Sequence, residues 1–117
     1  MNMEYTFAHM GIHCNSEEDC KAGVAAFQTA FGFPIFDIGN SVIVAGPMEL
    51  TKTPLRSAAG HIGIACTDVA LAIEDLKEKG FAIDESTLQY GPGGKLRSVY
   101  LQDTFCGFAC HLLQKRR

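Results

Sequence analysis

The residues best suited to chemistry near neutral pH are the four histidines, His9, His13, His61 and His111. Imidazole titrates in that range and also binds borderline divalent ions. Two of them open matching hexapeptides. His9-Met10-Gly11-Ile12-His13-Cys14 and His61-Ile62-Gly63-Ile64-Ala65-Cys66 share four of six positions, with Met10 and Ile62 a further apolar match. A lone strand histidine is more often a hydrogen-bonded, partly buried residue than a ligand; recurrence in a repeat makes this pair a candidate for one shared site. Strand alternation puts His9, Gly11 and His13 on one face, and His61, Gly63 and Ala65 likewise. Met10, Ile12, Ile62 and Ile64 then meet the helices, while the small Gly and Ala residues are expected to leave room for a ligand. His13 lies about 13 Å from His9 along the strand, at roughly 3.3 Å per residue. It is therefore expected to be a substrate-contacting pocket residue and not a second ligand to the same ion.

The elements that must position these residues repeat as well. Ser16 followed by Glu17, Glu18 and Asp19 is an S-x-x-D helix start with acidic residues where the helix dipole favours them. Cys20, Val24, Phe27 and Phe31 follow as one stripe at the helical period, and Gly32 stops the helix. In the second copy Thr67 or Asp68 caps, Val69, Ala72, Ile73 and Leu76 form the stripe, and Gly80 stops it. After each Gly-Phe (Gly32-Phe33, Gly80-Phe81) the pattern changes to short alternating runs broken by turns, a strand meander. The strands are expected at 35–38, 42–45 and 48–51 in the first copy, and at 81–87, 97–101 and 108–113 in the second. Each half then reads βαβββ, with module 1 at about 4–53, a linker at 54–60 and module 2 at about 61–114. The fold class is α+β: one domain in which the two modules pair into a cup-shaped, half-open mixed sheet with helices outside.

Composition bounds the function. At 117 residues and 47% apolar content the chain fits a single domain with a modest core. A net charge of -3 leaves no basic face for nucleic acid; the terminal Lys115-Arg116-Arg117 reads as a solvated tail. No apolar run approaches a membrane span, and the N-terminus lacks the pattern of an export signal, so a cytoplasmic location is expected. Five cysteines without a CxxC argue for reduced, mostly buried thiols, not a disulfide framework or zinc knuckle. The loop Gly91-Pro92-Gly93-Gly94-Lys95 lacks phosphate-loop spacing. It reads as a long hairpin connection that could carry Tyr90 or Lys95 over a cup, with Arg56, Arg97 and Tyr100 as further substrate contacts.

The repeated His-bearing strands, together with the ending from Asp103 to Leu112, resemble the vicinal oxygen chelate superfamily of glyoxalases, bleomycin-resistance proteins and ring-cleaving dioxygenases. The resemblance covers essentially the whole chain. It implies metal ligands on the first and last strand of each module, at the matching positions His9, Glu49, His61 and His111. The D-x-x-G-x-x-x-E-L ending of the family is matched loosely, with His111 where Glu usually stands. Three imidazoles and one carboxylate suit Zn, Ni, Mn, Co or Fe(II) without selecting among them.

What the resemblance implies for activity is a metal-dependent, glyoxalase-like lyase or isomerase acting on a small vicinal-oxygen metabolite. Glu49 and His111 are its candidate catalytic groups, and His13, Tyr90 and Arg97 its candidate substrate contacts. With one carboxylate instead of two, a divalent site keeps about one net positive charge. That favours an α-keto or α-hydroxy acid over a neutral dicarbonyl, with a dicarbonyl adduct as a further candidate substrate. The alternatives are a bleomycin-resistance-like protein that binds a drug or metabolite without chemistry, and an accessory domain in keto-deoxy-sugar-acid aldolase metabolism. A homodimer is expected, because paired modules leave sheet edges that a second subunit can cover.

Overall fold

In the computed structural model, residues 3–53 and 59–115 are described; Arg56 and most of the expected linker lie outside them. The element order is β1(Tyr5–His13), α1(Glu17–Phe31), β2(Ile35–Asp37), β3(Ser41–Val44), β4(Met48–Thr51), β5(Gly60–Cys66), α2(Val69–Glu78), β6(Ile83–Tyr90), β7(Leu96–Phe105) and β8(Phe108–Gln114). That is βαβββ twice, an α+β fold. Among the described residues no helix is long and apolar enough to cross a membrane. The chain divides into two compact units, residues 9–61 and residues 3–8 with 62–115.

In the unit formed by residues 9–61 the strand order is β2-β3-β4-β1. Strand β1 runs parallel to β4, with Gly11 opposite Glu49 and Ile12 opposite Leu50, and β4 is antiparallel to β3, with Glu49 opposite Ile43. One sheet face therefore carries Cys14, Ile12, Leu50, Val42 and Val44, and α1 lies on it through Cys20, Val24 and Phe27. Ser16 starts α1 as expected, its Oγ accepting the Asp19 N–H at 3.1 Å. Gly32 ends it in the left-handed region, φ 67°, where a side chain would be strained. The expected stripe runs one turn too far, since Phe31 is 66% exposed.

In the other unit the strand order is β5-β8-β7-β6. Its core is Cys66, Val69, Ala72, Val99, Leu101 and Leu112, with Tyr5, Ile64, Ile73 and Leu76 packed around it. Asp68, not Thr67, caps α2, accepting the Leu71 N–H at 3.0 Å. At the other end the Phe81 N–H bonds Leu76 O and the Gly80 N–H bonds Lys77 O, a double C-terminal closure. That closure ties Phe81 to the helix, so β6 begins at Ile83 and not at Phe81. Strand β7 is longer than expected because the β7–β8 turn takes only two residues, Cys106 (φ 53°) and Gly107 (φ 82°), both left-handed. Cys106 is exposed there, correcting the expectation of mostly buried thiols for that residue; Cys20, Cys66 and Cys110 are buried and all five thiols are free.

Leu50, 2% exposed, shares the first core with α1 and neighbours Glu49 in sequence. Leu50→Ala is expected to lower the urea-unfolding free energy by about 2–5 kcal/mol. Phe31→Ala, on the exposed end of the same helix, should change it by no more than about 0.5 kcal/mol.

Candidate metal centre

The face of the 9–61 unit opposite α1 is polar. His9, Gly11 and His13 project from β1 onto it, Glu49 from β4 and Ser41 from β3. The start of β5 is fixed beside β1 by the His13 N–H bonding Ala59 O at 3.0 Å. This places the His61 ring directly over Gly11: a Cβ on Gly11 would lie 2.0 Å from His61 Cε1. The expectation that this glycine leaves room for a ligand is thereby corrected, since the room is filled by the His61 ring.

His61 is 4% exposed and partnered on both nitrogens. Its Nε2 lies 3.1 Å from His9 Nε2 and 3.2 Å from Glu49 Oε1, and its Nδ1 lies 2.7 Å from His13 Nε2. The rings of His9 and His61 meet edge to face with centroids 5.1 Å apart, and that of His13 is tilted against His61 at 5.0 Å. Glu49 is oriented through its other oxygen, Oε2, which accepts the Ser41 hydroxyl at 2.7 Å. The hydrogen bond from His61 holds the Glu49 carboxyl down at about 2, against the opposing pull of burial, and Ser41 adds to the effect. His9 is pushed below the ordinary histidine range, first by burial and then by the neighbouring His61 ring.

Two of the three donor separations have the length expected around one ion. Donors bound at about 2.0–2.2 Å to one ion, at angles of about 90–110°, lie roughly 3.0–3.5 Å apart. His61 Nε2 stands at 3.1 and 3.2 Å from the nearest donors of His9 and Glu49. His61 Nδ1 is engaged by His13 at 2.7 Å, so Nε2 is the ring atom that could meet an ion.

The structure brings His9, Glu49 and His61 together in one unit, with Ser41, which sequence reasoning did not place, and with His13, which it placed on the same face as a substrate contact. Ser41 carried no signal beyond being a polar residue at a turn. His13 was visible in the spacing H-x-G-x-H, which flanks a missing side chain with two imidazoles. His111 belongs to the other unit, on β8 opposite Tyr100, with the two rings stacked at 4.7 Å. Tyr90 and Arg97 belong to that unit too, both exposed, beside the β6–β7 loop. That loop is a closed hairpin connection, with the Gly91 N–H bonding Lys95 O at 2.8 Å and the Gly94 N–H bonding Gly91 O at 3.1 Å.

No protein-family model matches the chain, and no curated protein does. Solved structures do match. A hypothetical protein of Bacillus halodurans C-125 superposes with a TM-score of 0.67 at 17% identity, covering 97% of this chain and 96% of that one. Streptomyces coelicolor methylmalonyl-CoA epimerase in complex with 2-nitronate-propionyl-CoA gives 0.65 at 21% identity, covering 94% of each chain. A methylmalonyl-CoA epimerase in complex with methylmalonyl-CoA and NH4+ gives 0.64 at 21%, covering 93% of each. The chain has the vicinal oxygen chelate fold. At these identities the likeness is one of fold.

Two outcomes test the cluster. Gly11→Ala puts a methyl where the His61 ring lies, so it should cost about 1–3 kcal/mol of stability and shift the His61 ring resonances in NMR spectra. Acid should also destabilise the chain. His9, with its folded pKa below the unfolded value, takes up a proton more readily when unfolded, so stability falls as pH drops below about 6.5. The contribution of Glu49 is full above its unfolded value of 4.5 and is lost as pH falls towards about 2. Urea midpoints measured from pH 7 to pH 5 should decline, and His9→Gln should flatten that decline.

Proposed function

We propose that the chain is a metal-dependent isomerase or lyase acting at a carbon beside a carbonyl or carboxylate of a small organic acid. The observation that carries this reading is the approach of His9 Nε2 and Glu49 Oε1 to the single atom His61 Nε2, at 3.1 and 3.2 Å. His9, Glu49 and His61 would hold a divalent ion. Bound there, such an ion supplies a Lewis acid that polarises substrate oxygens. Ser41 fixes Glu49 for this task by holding its second oxygen. One carboxylate in the donor set favours an anionic substrate such as an α-keto or α-hydroxy acid. The epimerases of the same fold that carry methylmalonyl-CoA or 2-nitronate-propionyl-CoA support an acyl-acid substrate class.

The second reading is a binding protein without chemistry. It is favoured by the fact that the His61–Glu49 and His61–His9 spacings are also hydrogen-bond lengths, so the cluster can satisfy itself without an ion.

Metal analysis of protein prepared without a histidine tag separates the two. The first reading expects about one zinc, nickel, manganese, cobalt or iron per chain after loading, with His61→Ala lowering affinity at least about 10-fold. It also expects solvent deuterium exchange into a small keto or hydroxy acid, lost in His61→Ala. A wild-type chain that takes up no metal, yet binds such acids, would establish the second.

A further inference from the structure

We infer that His13 is a positioning residue for His61, accepting the His61 Nδ1–H so that Nε2 presents its lone pair to an ion. This rests on the proposed metal site. The His13 ring is buried, 8% exposed, and its Nε2 stands 2.7 Å from His61 Nδ1, closer than the 3.1 Å between His9 Nε2 and His61 Nε2. Each neutral imidazole carries one N–H. When that hydrogen sits on His61 Nε2, it points at Glu49 Oε1 and Nδ1 can only accept. When it sits on Nδ1, it must be accepted by His13 Nε2, and His13 then carries its own hydrogen on Nδ1. Only the second arrangement presents His61 Nε2 as a donor atom to an ion. His13 supplies the acceptor that the second arrangement needs, from the same strand that carries His9 and the Gly11 gap.

The geometry also accounts for the H-x-G-x-H spacing. Residues two apart on one strand face project side by side about 6.6 Å apart. A ring lying over the middle position therefore has one imidazole on each side, with His9 reaching Nε2 and His13 reaching Nδ1. Ala65, at the position in the second strand that corresponds to His13, offers no such partner.

The test uses the full chain and zinc as the probe. Long-range 1H–15N correlation spectra of the zinc-loaded wild type should show His61 protonated at Nδ1 and shifted at Nε2 by the ion. His13→Phe, of similar size without an acceptor, should bind zinc about 10–100-fold more weakly and lose the fixed Nδ1–H signal. His13→Gln, whose amide oxygen can accept, should recover zinc affinity to within about threefold of wild type, a rescue that a merely space-filling role does not give. Should His13→Phe fail to fold, the wild-type tautomer and the His13→Gln rescue decide the matter. Zinc affinity within about twofold of wild type in His13→Phe, or His61 protonated at Nε2 in the loaded wild type, overturns the inference and leaves the metal site standing. A wild type that binds no zinc overturns both.

Discussion

Where Gly11 lacks a side chain, the His61 ring lies against the β1 backbone, and the polar chemistry of the 9–61 unit is arranged around that contact. A ring that would meet a Cβ at 2.0 Å cannot occupy this place above any other residue. Once it is there, the strand alternation that put Gly11 beneath it puts His9 on one side and His13 on the other, and the parallel β1–β4 register brings Glu49 alongside. Four titratable side chains with little exposure to water end up within hydrogen-bond reach of one another or of His61. Burial of that much polarity is costly unless partners are complete, and among the described residues no buried side-chain polar atom lacks one.

The apolar half of the unit supports this arrangement from the other side of the sheet. Ile12 and Leu50, one residue along from Gly11 and Glu49, point into the core under α1. Burial of those side chains fixes the register of β1 and β4, because a one-residue slip would turn the apolar set outwards and the polar set inwards. The Cys20 thiol, donating to Leu50 O, adds a contact between helix and strand. Core packing and donor geometry are thus consequences of one register, and a change in either is felt by the other.

Much of this was legible in the sequence. The hexapeptides at His9 and His61 showed the duplication, the alternation within them assigned the faces, and Ser16, Gly32 and Gly80 marked helix ends where the backbone demands such residues. The relation of His13 to His61 was not legible, for a physical reason. Counting along β1 measures His9 to His13 and finds them too far apart to share an ion, but says nothing of a third ring between them that each can touch. The stack of His111 on Tyr100 and the hold of Ser41 on Glu49 depend on cross-strand register, which periodicity does not supply. The extent of β7 was missed because a two-residue turn with Cys106 in the left-handed region carries only half the usual glycine signal.

The central claim is that His9, Glu49 and His61 form a preorganised set of metal donors, with His61 bound through Nε2. X-ray absorption at the metal edge of the zinc-loaded chain tests it most directly. The account expects a first shell of nitrogen and oxygen at about 2.0–2.1 Å, with the outer-shell scattering of at least two imidazoles, one of which disappears in His61→Ala. A zinc shell without imidazole scattering, or one unchanged by His61→Ala, would contradict it.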